Sequence, residues 1–310
     1  MTEIAMISFN ALAPTFLIIL CGYACKRVGV VSEKQQPSMS ALGFQVFLPM
    51  LLFYNVYSSN VSIGDNLFIV AFCVAGVLLS FGLSVLFTVR YQKNPLRKGT
   101  MIHALYRSNY ALLGIPIATS LYPDAVSQTS VSLAFVVPVY NVLAVIALEV
   151  FNGKKLDWRH ILRDIGTNPL IMSSLLGVLL AAFHIRLPLF IEATIKSIAG
   201  IATPYLLFLL GVFFKMRFRI EKDLILCILG KLVVLPALML ALSLALGLRN
   251  GEMAIALALF ASPPATSSFT MVQQLGGDAE LAGNSVVLAS ALSFFTIFLW
   301  MCLLMRMGVM

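Results

Sequence analysis

Two stretches of this sequence interrupt apolar surroundings with residues suited to holding an anion. The first runs Ser108-Asn109-Tyr110-Ala111, then Gly114-Ile115-Pro116, and ends at Thr119-Ser120. The second is Ser262-Pro263-Pro264-Ala265-Thr266-Ser267-Ser268. A proline inside a helix deletes a backbone donor and clashes with the preceding turn, at a cost of about 3 kcal/mol. Gly114 adds backbone freedom beside Pro116, and the Pro263-Pro264 pair can hardly continue a regular helix. A break exposes N–H groups at the start of the following half-helix, an end that carries roughly half a positive charge. Ser262 is placed to cap a half-helix starting at Pro263, and Thr266, Ser267 and Ser268 offer hydroxyls to its first turn. Asn109 offers amide donors one turn before a break at Gly114–Pro116. The expected chemistry is capture of an anionic group by half-helix ends, without a buried cation. A plainer reading stays open, because proline kinks in membrane helices are often packing features.

Ionisable groups within the apolar runs are few. His103, Arg107, Glu149 and Lys231 are expected within about two turns of the cytoplasmic ends of their helices, snorkelling or pairing there. Glu149 with Arg107 or Lys231 is the alternative candidate for a gate or coupling site. Asn141, beside Tyr140, interrupts a further apolar run, where an Asn often just bonds a neighbouring helix; it is a weaker substrate-site candidate. The three histidines are dispersed, and the five cysteines sit inside apolar runs without metal or disulfide spacing. Gly276-Gly277-Asp278 echoes an aspartyl protease motif, but such an enzyme needs a second Asp within an apolar run. No enzyme, metal site or cofactor is expected.

The elements that must position these residues follow from composition. Of 310 residues, 60% are hydrophobic and 11% charged, against about 45–50% and about 25% in soluble domains. The missing solvent is lipid. A bilayer core takes about 20 residues of helix to cross, and apolar runs of that length lie near 5–26, 36–58, 66–90, 100–121, 127–151, 167–186, 190–214, 223–248, 251–274 and 279–305. They are far too long for barrel strands, so an all-α integral membrane protein with ten transmembrane helices is expected. The net charge of +8 sits in short clusters between runs, which argues for membrane topology rather than nucleic acid. The basic loops follow runs 1, 3, 5 and 7, with Lys26-Arg27, Arg97-Lys98, Lys154-Lys155 and Lys215 among them. Odd loops are therefore expected inside and both termini outside, with the first run retained rather than cleaved.

Five helices per half with an inside loop between them require halves of opposite orientation. Pro14 and Gly22 recur as Pro169 and Gly177, and Pro49-Met-Leu-Leu-Phe53 recurs as Pro204-Tyr-Leu-Leu-Phe208, at one shared offset. An inverted repeat, residues 1–152 and 167–310 around a short linker at 153–166, is expected, and such repeats place substrate near the midplane where helices are broken.

Asn109 through Pro116, Asn168-Pro169-Leu-Ile ending at Gly177, Thr203-Pro204 ending at Gly211 and the Ser262-Pro263 break resemble the auxin efflux carrier family over nearly the whole chain. The resemblance implies a fold similar to bile-acid symporters and sodium–proton antiporters. In it, helices 1, 2, 6 and 7 form a scaffold, and helices 3–5 and 8–10, with crossed, broken helices 4 and 9, form an elevator-like transport domain. It further implies a secondary transporter of a small organic anion, a carboxylate such as malate, malonate or an auxin-like acid. Pro116 and Pro263 or Pro264 would be the crossover prolines and Asn109 the substrate-side amide. Tyr110 stands where the family often has a smaller residue. The short central loop favours a prokaryotic plasma membrane protein, and a homodimer through the scaffold is compatible with the fold. A channel or a solute-sensing receptor of the same fold is the competing reading.

Overall fold

The computed structural model describes residues 14, 17–32, 34–58, 67–114, 117–118, 121–151, 166–213 and 221–310. Among them there is no strand; the chain is a sequence of helices. A first helix, α1, covers residues 17–27. Then come α2 (Gln36–Tyr57), α3 (Leu67–Tyr91), α4 (Pro95–Tyr106), α5 (Val126–Val150), α6 (Pro169–Ala182), α7 (Leu189–Phe213), α8 (Lys222–Ala245), α9 (Asn250–Ala261), α10 (Ser267–Leu275) and α11 (Ala279–Arg306). Six of these helices are long and apolar enough to cross a bilayer: α2, α3, α5, α7, α8 and α11. Helices α6 and α9 are apolar but shorter. The expected runs 4 and 9 are not single helices: the fourth is α4, a gap and the short turn Tyr110–Gly114, and the ninth is α9 and α10.

Local sequence explains where these helices start. In α4 the Asn94 side chain accepts the Leu96 N–H and Pro95 occupies the first turn; Asn168 and Pro169 repeat the device at α6. An Asn at the cap satisfies an orphan donor, and a Pro just inside removes another. Asp278 caps α11 through the Leu281 N–H. Helix α10 ends on Gly276 at φ 86°, a left-handed conformation that favours glycine. Helices α2 and α8 each contain a five-residue π turn, Gly43–Phe47 and Gly230–Val234, ending two residues before Pro49 and Pro236. An inserted residue in the turn before a proline relieves the clash of its ring with the preceding carbonyl.

Packing joins α2 closely to α6 and α7, and α3 to α4 and α5, while α9 lies against α8. Residues Met253–Ala261 of α9 are all fully buried, as expected of a helix that is apolar all round. Close approach depends on glycines. A Cβ on Gly22 would collide with the Phe208 carbonyl oxygen, and one on Gly177 would come within 2.9 Å of that of Phe53. These are matched contacts, because one sequence offset relates Gly22 to Gly177 and Phe53 to Phe208. Large apolar side chains remain exposed along the outer helices, Leu86, Leu189, Phe190, Leu238 and Phe295 among them. Such a surface suits lipid and not water.

Candidate functional site

The two interruptions meet. After α4 the chain is non-helical at Arg107–Asn109, and after α9 it is non-helical at Ser262–Ala265. The Asn109 backbone N–H donates to the Pro263 carbonyl at 2.8 Å, and the Ser108 hydroxyl donates to the Ser262 carbonyl at 3.4 Å. The first break therefore begins before Asn109, not one turn after it. Polar Ser108 and Asn109 satisfy opened backbone across the junction, so that crossing needs no proline of its own. Pro116 lies outside the described residues. Gly114 serves packing: a Cβ there would meet the Ala258 carbonyl oxygen at 2.6 Å, so only glycine lets the Tyr110–Gly114 turn lie against α9.

Ser262 does not cap a half-helix at Pro263. It ends α9, its hydroxyl donating back to the Ala258 carbonyl at 2.6 Å, and helix resumes only at Ser267. Two consecutive prolines hold the chain extended for longer than one capping residue would. Thr266 precedes α10 without capping it, and the Ser267 hydroxyl accepts from Arg107.

A cavity of about 580 Å³, mouth included, opens beside the crossing. Its polar lining comes from Asn55 of α2, Thr203 of α7, Arg107, Ser108 and Asn109 of the first break, Thr266 and Ser267 of the second, and Tyr110 and Tyr140. Its apolar lining is Leu48, Leu51 and Leu52 of α2, Leu133, Val136 and Val137 of α5, and Leu206 of α7. Pro263 and Pro264 are buried behind this surface.

Contrary to the expectation of a site built without a buried cation, this cavity has one in its lining. Arg107 is 5% exposed and lines the cavity. Nη1 donates to the Tyr140 carbonyl (3.2 Å), and Nη2 donates to Asn141 Oδ1 (3.2 Å) and Ser267 Oγ (3.3 Å). The guanidinium also lies over the Tyr140 ring, 5.8 Å from its centroid. Asn141, fully buried, uses its amide to donate to Ser174 of α6 at 2.9 Å. Asn141 is thus one bond behind the cavity rather than on its surface.

Nor do His103 and Lys231 snorkel. His103 is fully buried and neither ring nitrogen has a hydrogen-bond partner among the described residues, while Lys231 is 2% exposed within α8. Neither lines the cavity, and Lys231 makes no ion pair with Glu149 among the described residues. Glu149 stands eight residues beyond Asn141 on α5, about 12 Å along the helix, and forms no ion pair with Arg107.

A charged cluster escaped the sequence reading. Arg97 bonds Glu221 (2.7 Å), Asp223 (2.9 Å) and Asp278 (3.0 Å), joining the starts of α4, α8 and α11. Gln92 adds a bond to Asp223 at 2.7 Å. In sequence Arg97 reads only as a marker of an inside loop, and its partners lie 124, 126 and 181 positions away.

Comparison with known proteins agrees with this architecture. The sequence pattern of the membrane transport protein family matches residues 7–301. An uncharacterized transporter of Methanothermobacter thermautotrophicus is 22% identical over 307 residues, 96% of this chain and 98% of its own length. The mouse lysosomal cholesterol signaling protein is 27% identical over 257 residues, which span 74% of this chain but 29% of that protein. A Rhizobium meliloti protein described as a "Putative malonate transporter" is 34% identical over 140 residues, 44% of each chain.

Proposed function

The chain belongs to the membrane transport protein family, and from that membership we propose that it is a carrier moving a small organic anion by alternating access. The observation that carries this reading is the crossing itself. Two broken helices bond to each other at Asn109 and Pro263, beside a cavity that α2 and α7 close from the other side. Broken helices are tolerated at membrane depth only when buried in protein or lining a cavity, and these do both. Ligand held between two groups of helices is what a moving domain needs if one is to slide past the other.

In this reading residues 1–152 and 167–310 are inverted five-helix repeats joined by 153–166. The matched Gly22–Phe208 and Gly177–Phe53 contacts support it, since a two-fold relation exchanges one for the other. The first two helices of each repeat form the scaffold; the other three of each carry the crossing and move as an elevator. A carboxylate is the favoured substrate, from the donors around Arg107 and from the name of the Rhizobium relative. The plasma membrane, with both termini outside, is the setting that the basic loops support.

Uptake of labelled carboxylates into liposomes by the purified protein tests the proposal. Saturable uptake that is lost in an Asn109→Ala, Pro263→Ala double variant of normal elution and helicity is the expected result. Full uptake by that variant would remove the crossing from the mechanism.

A further inference from the structure

We propose that Arg107 is the fixed positive charge on which the substrate's anionic group docks, and that the cavity accepts an anion with one charge on an apolar body. This inference rests on the carrier reading and names the substrate class of the same site.

Arg107 is buried yet faces only neutral acceptors: a carbonyl, an amide oxygen and a hydroxyl. No carboxylate pairs with it among the described residues. A guanidinium has five N–H donors; three are used, so two remain, and Nε is buried without any partner. A buried charge left without a counter-charge is costly, and pairing with a carboxylate through two parallel bonds offsets that cost. Because Arg107 lines the cavity, an entering anion can supply what the protein does not.

The same surface limits how much charge fits. Arg107 is the one charged residue in the lining among the described residues, and neither His103 nor Lys231 reaches it. Leu48, Leu52, Val136 and Val137 are among its apolar lining. A second carboxylate would lose its water and gain no second cation, only neutral donors such as Asn55 and Thr203, a poor exchange for an ionised group. An alkyl or aryl body would instead bury apolar surface there. Malonate-like dianions are thus disfavoured in this chain, whatever its relatives carry.

Hexanoate, adipate and hexanamide make a matched test, with six carbons each and one, two or no charges. Binding to protein in nanodiscs at pH 7.5, well above carboxyl pKa values near 4 to 5, would be read by thermal shift and by competition with labelled uptake. Hexanoate is expected to bind at least tenfold more tightly than adipate or hexanamide. Arg107→Gln should reduce hexanoate affinity at least tenfold, while Arg107→Lys, which keeps the charge without the fork, retains a measurable part of it. Adipate or hexanamide binding as well as hexanoate, or unchanged hexanoate binding in a folded Arg107→Gln, would overturn the inference and leave the carrier reading intact. Should Arg107→Gln fail to fold, the wild-type ranking and Arg107→Lys decide the matter. Wild-type protein that binds and transports none of the three would overturn the carboxylate-carrier reading and this inference with it.

Discussion

The backbone N–H of Asn109 and the carbonyl of Pro263 hold each other at 2.8 Å, so each broken helix supplies the partner that the other lacks. An unmade bond at this depth costs about 1–3 kcal/mol. Asn109 lines the cavity while its backbone N–H makes the crossing bond, so side-chain and backbone substitutions test different roles. Asn109→Ala should leave the melting temperature nearly unchanged and lower uptake. Asn109→Pro, which deletes the donor, should lower both, by about 1–3 kcal/mol in stability. Equal melting of the two variants would show that the crossing bond contributes nothing.

Asn141 stands between Arg107 and Ser174 and is neutral. Asn141→Asp would place a carboxylate 3.2 Å from the guanidinium without changing shape. The expected outcome is a stable protein with uptake reduced at least tenfold, because an internal ion pair would occupy the donors that substrate needs. Unimpaired uptake at full expression would argue that Arg107 is structural.

The glycine contacts predict an asymmetry between two similar-looking substitutions. Gly177→Ala pushes a methyl to 2.9 Å from the Phe53 carbonyl oxygen and should destabilise by about 1–3 kcal/mol. Gly82→Ala, in α3, meets nothing within 4 Å and should be neutral or stabilise by up to about 1 kcal/mol. Thermal unfolding in one detergent compares them directly.

The Arg97 cluster places one guanidinium among three carboxylates, with its own side chain 30% exposed. Partly exposed pairs contribute about 1 kcal/mol or less each. Arg97→Gln removes the attraction and leaves Glu221, Asp223 and Asp278 repelling one another. Salt should therefore destabilise the wild type slightly and stabilise the variant, narrowing the gap in melting temperature as ionic strength rises. A gap that is independent of salt would mark the cluster as packing alone.

What was legible in the sequence was what lipid and backbone geometry impose. Long apolar runs must be helices, and each of α2, α3, α7, α8 and α11 lies within a few residues of its run. The two polar interruptions were legible because prolines announce one of them and Ser108-Asn109 the other. The place of the first break was not, because Pro116 drew attention past it. Arg107 was misjudged for a related reason. A run begun at residue 100 puts Arg107 within two turns of the rim, but Asn94 and Pro95 start the helix five residues earlier. That cap was readable, and it places Arg107 about 18 Å from the helix start. The Arg97 cluster was beyond sequence reading, since nothing local ties residue 97 to 221, 223 and 278.

The solitary charge of Arg107 has an electrical consequence. If the crossing travels through the membrane as proposed, its cavity carries one positive charge when empty and none when a monovalent anion neutralises it. A charge crossing the full potential exchanges about 2.3 kcal/mol per 100 mV. Voltage would then act on the unloaded return and not on the loaded step. An inside-negative potential would draw the vacant site toward the cytoplasm and favour export, with a current whose sign is carried by the protein and not by any co-transported ion.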